Sequence, residues 1–93
     1  MTITSFVCRD TAALFAGRRV ARFAAIETVA IRKLQQVHAA LTLSFLRVPP
    51  GNRLEPLNGE LEGAYSIRIN AQWRICFYFA RGEASQVHIV DYH

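Results

Sequence analysis

The stretch YSIRINAQWRICFYF, residues 65–79, decides the architecture. Tyr65, Ile67 and Ile69 alternate with Ser66, Arg68 and Asn70; Trp73, Ile75, Phe77 and Phe79 then alternate with Arg74, Cys76 and Tyr78. A period of two sends successive side chains to opposite sides of a strand, so each run predicts a strand with one apolar and one polar side. Asn70-Ala71-Gln72 between them is turn-forming, which makes the pair a hairpin. Downstream, Arg81-Gly82-Glu83 turns the chain into a last strand carrying Val87, Ile89 and Val90. Upstream, residues 54–57 read as a short strand closed by Asn58-Gly59.

Before Pro49 the period changes. Ile26, Val29, Ala30, Lys33, Leu34, Val37 and Leu41 recur at intervals of three and four, the spacing of a helix with one buried stripe. Arg32, Gln35, Gln36 and His38 then fall toward solvent. Residues 47–53 contain Pro49-Pro50-Gly51-Asn52, which cannot continue a helix. Nearer the start, Ile3, Phe6 and Val7 form a short β-prone segment, and Asp10-Thr11 offers an N-cap to a first helix that breaks at Gly17. The expectation is an α+β fold: an N-terminal strand and two helices on one face of an antiparallel sheet of three or four strands, with the other face exposed.

Ninety-three residues make one domain, residues 1–93. A chain of this length buries only about 60–65% of the surface its unfolded form exposes. With 52% hydrophobic residues it is packed rather than disordered. Eleven Lys and Arg against seven Asp and Glu give +4, and ten of the eleven cations are arginine. The planar guanidinium suits phosphate, so a polyanion partner is expected, a solvated arginine-rich surface being the plain alternative. Cys8 and Cys76 stand apart, without CxxC or a histidine at metal-ligand spacing, and read as core or half-buried thiols. No basic-then-apolar leader is present, and no apolar run approaches the roughly 20 residues that cross a bilayer. A cytoplasmic protein without membrane contact is expected.

Two groups of residues are candidates for chemistry. Arg68 and Arg74 fall on the polar side of adjacent strands, about 5 Å apart across the hairpin. Either an anion sits between them, phosphate being the usual bidentate partner of arginine, or each pairs with Glu60, Glu62 or solvent. Residues 91–93 read Asp91-Tyr92-His93. Either this segment frays, or His93 moves protons near neutral pH, oriented by Asp91, while Tyr92 stacks on a base.

The segments RVPPGNRLEPLNGE (47–60), SIRINAQWRICF (66–77) and VDYH (90–93), in that order, make a pattern that resembles the HigB group of bacterial toxins. This is the plasmid-maintenance killer branch of the RelE superfamily, and the resemblance covers essentially the whole chain. It implies a RelE-like (microbial RNase-like) fold and a ribosome-dependent mRNA endoribonuclease working without a cofactor or metal. It also implies a type II toxin held inactive by a HigA-type helix-turn-helix antitoxin. The implied partners are the small-subunit decoding site of the ribosome, mRNA and the antitoxin, with DNA met only through the antitoxin. Carried over residue by residue, Arg74 holds the scissile phosphate, and Asp91, Tyr92 and His93 match the family's Asp-Tyr-His. Glu55 occupies a position where some members carry a catalytic histidine. Glu55 and His93 then divide the base and acid roles, in an order the sequence leaves open. Arg68 is expected to contact RNA or the ribosome, and Arg18, Arg19, Arg22, Arg32 and Lys33 become docking charges toward ribosomal RNA. Asn58 departs from the family's usual lysine. A catalytically weakened homologue that only binds its antitoxin, within transcriptional autoregulation, is the alternative this departure supports.

Overall fold

The computed structural model describes residues 3–59 and 62–91. Four strands, β1 (Glu55–Pro56), β2 (Ala64–Arg68), β3 (Trp73–Ala80) and β4 (Glu83–Asp91), form an antiparallel meander in the order β1-β2-β3-β4. The β2–β3 turn is closed by the Asn70 side chain, whose Oδ1 accepts the N–H groups of Gln72 and Trp73, both at 2.8 Å. An asparagine that substitutes for a backbone carbonyl in this way holds a turn without help from glycine. At the β3–β4 turn, Arg81 and Gly82 both take positive φ, 54° and 78°. That is the two-residue geometry whose twist matches the flanking strands.

The helical layer consists of α1 (Arg9–Phe15), a 3-10 helix over Ala21–Ile26, α2 (Glu27–Ala39), α3 (Leu43–Arg47) and a second 3-10 turn over Pro50–Asn52. Its apolar side packs on one face of the sheet. Leu14, Phe23, Leu34, Val37 and Leu46 are buried with Ile67, Ile75, Phe77 and Val87. Phe23 meets Trp73 edge-on, ring centroids 5.5 Å apart. Among the described residues no helix is long and apolar enough to cross a membrane.

Several local expectations are corrected. The N-terminal segment makes isolated parallel bridges to β4, Ile3 with Ala84 and Phe6 with Val87, instead of a continuous strand. The reason is a bulge: the β3–β4 register shifts between Cys76 and Tyr78, and Gln86 takes a left-handed φ of 51°. A bulge interrupts the ladder that a fifth strand would need. The segment still covers the β4 edge, because Thr4 N–H donates to Ala84 O and Val7 N–H to Val87 O. Cys8, not Asp10-Thr11, stands at the N-cap of α1. Thr11 is instead buried, its hydroxyl accepting the Ile89 N–H at 3.0 Å.

The long helix ends at Ala39, so Leu41, placed on the buried stripe by periodicity, is 76% exposed. A third helix that periodicity missed begins after Thr42, whose hydroxyl accepts the Phe45 N–H. Nor does His38 face solvent. Its Nδ1 accepts the Ile3 N–H at 3.3 Å and its ring packs edge-on against Phe15. Gln36 likewise turns inward to accept from the Asn52 amide. The second face of the sheet is also not bare: Ser66, Arg74 and Cys76 on it are buried. At Arg74 the cover is the chain entering β1, which supplies Arg53 and Glu55 to it.

Candidate active site

Arg74 is the centre of this cover. It stands on β3 directly opposite Arg68 on β2, as the alternation predicts, and its side chain is only 9% exposed. A charge so deeply placed must be hydrogen-bonded. Nε donates to the Ser66 hydroxyl at 2.8 Å, and Nη2 donates to the Arg53 carbonyl at 2.7 Å and more distantly to Ser66 O. Nη2 also lies 3.5 Å from Glu55 Oε1. Each partner has a backbone reason to be there. Ser66 is the register partner of Glu55 across β1–β2, so both share the Arg74 side of the sheet. Arg53 is left-handed (φ 46°), a conformation that favours glycine, and it aims its carbonyl back at Arg74. Strain of about 1–3 kcal/mol at such a residue persists only where the surroundings over-determine it.

A second arginine, a half-buried one, faces Arg74 at ordinary cross-strand distance, about 5 Å between Cβ atoms. Lys33 reinforces this concentration of charge from beneath. Helical periodicity places it on the buried stripe while the resemblance implies a docking charge; the stripe prevails, since Lys33 is buried on the inner side of α2 and Nζ donates to Asn52 Oδ1 at 2.8 Å. Burial lowers its pKa, and the nearby cations Arg32, Arg68 and Arg74 lower it further. Four cations thus share one field, and Glu55 is the acid in contact with Arg74. A buried arginine with further cations in its field favours an anion more than an isolated arginine does in water.

Asn52 and Ser66 are the participants that sequence reasoning passed over. Asn52 is fully buried and joins three elements, accepting from Lys33 while donating to Gln36 Oε1 and to the Leu46 carbonyl. A signal for it existed: a lysine in an apolar stripe requires a buried acceptor, and the Pro-Pro-Gly-Asn turn carries one.

The remaining candidates are distributed. Asp91 pairs in register with Trp73, on the helix side of the sheet, and accepts from Gln72 Nε2 at 3.1 Å. It is therefore on the opposite face from Arg74. Tyr92 and His93, and with them Glu60, lie outside the described residues. Arg18, Arg19 and Arg22 line an open cleft between α1 and the first 3-10 helix, in the layer that covers the other side of the sheet. Arg22 is engaged there by Asp10 at 2.8 Å and lies 4.3 Å above the Phe23 ring. Arg19 approaches Glu27 at 3.9 Å, and Arg32 is exposed on α2.

A profile described as "RelE-like toxin of type II toxin-antitoxin system HigB" matches residues 18–93. This chain belongs to the HigB-like toxin family. Toxin HigB-1 of Vibrio cholerae is 45% identical over 64 residues, which cover 69% of this chain and 67% of that protein. Endoribonuclease HigB of Proteus vulgaris is 46% identical over 41 residues, covering 44% of this chain and 45% of the relative, so the match spans under half of either. Among solved structures, a YoeB/ParE toxin from Agrobacterium tumefaciens superposes with a TM-score of 0.53 over 100% of this chain and 99% of that one. At 20% identity it supports the RelE-like α+β fold and nothing finer. Membership in a type II family implies an antitoxin partner for this HigB-like toxin.

The two thiols of this toxin sit in different surroundings, Cys8 half-buried and Cys76 buried. Cys8 is raised by burial, but hydrogen bonds from Thr11 and Asp10 and the adjacent Arg22 outweigh that and lower its pKa overall. Arg22 Nη2 donates to the sulfur at 3.4 Å. Burial pushes Cys76 up, with Arg74 opposing only in part. The thiolate is the nucleophile. Iodoacetamide near neutral pH is therefore expected to label Cys8 in the folded chain and leave Cys76 until denaturation, with Arg22→Ala slowing the first reaction. Peptide mass mapping reads both, and equal labelling of the two would contradict the assignment.

Proposed function

We propose that this chain is a ribosome-dependent mRNA endoribonuclease, the toxin of a pair neutralised by a HigA-type helix-turn-helix antitoxin. The observation that carries the reading is the buried Arg74 guanidinium, fixed by Ser66 and the Arg53 carbonyl, with Arg68 across from it and Glu55 in contact. The Proteus vulgaris relative is named an endoribonuclease, which supports the same chemistry. In the proposed reaction the ribose 2′-hydroxyl attacks its own 3′-phosphate in line, giving a cyclic phosphate and a 5′-hydroxyl end. One of Glu55 and His93 removes the proton from the nucleophile, and the other protonates the leaving 5′-oxygen. Arg74 stabilises the charge that builds on the phosphorane. Binding in the decoding site holds the message in the attacking geometry, which is how so small a set of groups suffices. The exposed helical arginines supply salt-dependent affinity for ribosomal RNA, and any contact with operator DNA runs through the antitoxin in the cytoplasm.

The test is induced expression of the untagged chain beside His93→Ala and Arg74→Ala, with mRNA 5′ ends mapped on translating ribosomes. Growth arrest and new ends inside reading frames are expected for the wild type and not for either variant. A second reading, a toxin homologue that binds its antitoxin and cleaves nothing, draws on Asn58, an exposed neutral side chain where the family pattern has lysine. It predicts three harmless proteins that all capture antitoxin, with activity appearing in Asn58→Lys.

A further inference from the structure

One pleat along from Arg74, on the same face of the sheet, lies a hollow of about 200 Å³ whose lining includes Leu57, Ala64, Cys76, Tyr78, Gln86 and His88. Cys76 follows Arg74 by two residues on β3, and Ala64 precedes Ser66 by two on β2. Two residues of strand advance about 6.6–6.8 Å. The hollow therefore begins within one nucleotide's reach of the guanidinium. Its size is below the ~300–1,000 Å³ of pockets for drug-sized ligands, which suits one flat heterocycle rather than a whole nucleotide.

We infer that this hollow receives one nucleobase of the RNA strand whose phosphate is held at Arg74, with Gln86 and His88 reading its edge. The inference rests on the phosphate reading proposed above. Ala64 is a small member of the lining, whose side chain takes little of the space, and Leu57, Val7 and Tyr78 add apolar surface. Gln86 and His88 contribute polar groups to the lining. His88 Nδ1 lies 3.2 Å from the Gln86 carbonyl; in the tautomer with the proton on Nδ1, Nε2 accepts. The Gln86 amide adds a donor and an acceptor, the pairing that reads base edges bidentately.

The backbone supplies an independent observation. Gln86 sits in the β4 bulge at φ 51°, where glycine is free of the Cβ penalty. The bulge is held by the N-terminal segment: Gln86 N–H donates to Ser5 Oγ at 2.9 Å and Val87 N–H to Ser5 O at 3.1 Å. Bulges of this kind re-aim a side chain beside functional sites, and here the re-aimed side chain lines the hollow. A partner protein's side chain is the rival occupant. The shared face with Arg68 and Arg74 favours RNA, because a phosphate at the arginines places its own base or the next one here.

The experiment is an NMR titration of the isotope-labelled full chain with inorganic phosphate in one series and with the four nucleoside 3′-monophosphates in another. Phosphate is expected to shift amides at Ser66, Arg68 and Arg74. Nucleotides are expected to shift these and also Ala64, Tyr78 and His88, binding roughly tenfold tighter than phosphate, within what base stacking supplies. Ala64→Leu should erase the second set and the extra affinity while leaving the first. Should that variant fail to fold, Gln86→Ala, altered at an exposed position, is expected to weaken nucleotide binding and leave phosphate binding intact. If nucleotides shift only the phosphate set, at phosphate's own affinity, the base site is wrong and the phosphate site stands. If neither ligand shifts Arg74 and its neighbours, the phosphate reading falls and the base site with it. Shifts at the hollow from an antitoxin peptide but from no nucleotide would give the hollow to the partner protein and overturn the inference.

Discussion

Arg74→Ala is expected to lower RNA cleavage by about 10²–10³-fold or more, the loss that follows removal of one preorganised donor to a developing anion. Arg74→Lys should recover little of it. A lysine keeps the charge but lacks the planar fork that reaches the Ser66 hydroxyl and the Arg53 carbonyl together. Both partners lose a donor in the alanine variant, so about 1–3 kcal/mol of stability should be lost as well. Thermal unfolding separates that from the catalytic loss, since a folded but inactive variant places the effect at the site. Glu55→Gln is the companion experiment. If Glu55 transfers a proton, the amide lowers cleavage by roughly 10²–10⁴-fold. If Glu55 only orients Arg74 across their 3.5 Å contact, the amide retains most of the activity.

Asn52→Ala is expected to destabilise the fold by about 2–4 kcal/mol, although the residue lies in a turn. It removes the Oδ1 acceptor of a buried ammonium and the donor to the Leu46 carbonyl in one step. Removing the charge as well, in Lys33→Met/Asn52→Ala, should restore part of the loss, because the two residues form one network and do not add independently. The pH dependence follows from the lowered Lys33 pKa. Between the folded value and the ordinary ~10.4 the unfolded chain holds more protons, so stability rises with pH across that window. The Asn52→Ala deficit should therefore shrink on the alkaline side, as chemical denaturation at a series of pH values would read. A constant deficit would mean that Lys33 stays protonated throughout, held by something other than Asn52.

Asn52 also links stability to the site. It immediately precedes Arg53, whose left-handed backbone presents the carbonyl to Arg74. The Pro49-Pro50 turn, the buried amide and the strained arginine together carry the chain over the sheet into β1. Loosening the amide should thus lower activity by more than global stability alone predicts.

Local patterning along the chain determined the sheet. Strict alternation in 65–79, with Asn70 and Arg81-Gly82 at the turns, specified both hairpins and even the Arg68–Arg74 pairing, because a one-residue slip would turn every apolar side chain outward. The stripe of α2 was legible for the same reason, since burial of one face imposes a period. Periodicity has no term for where a helix stops against the rest of the fold, so Leu41 was placed inside and α3 was missed. It also has no term for polar groups that meet from distant parts of the chain. Lys33 with Asn52, and Ser66 with Arg74 and the Arg53 carbonyl, become partners only when the turn at 49–53 closes over the sheet. The residue types of the site were therefore in the sequence. Which of them are buried, which face Asp91 takes and what Arg74 holds were decided by tertiary packing, because a buried charge takes whichever partners the fold brings within hydrogen-bond reach.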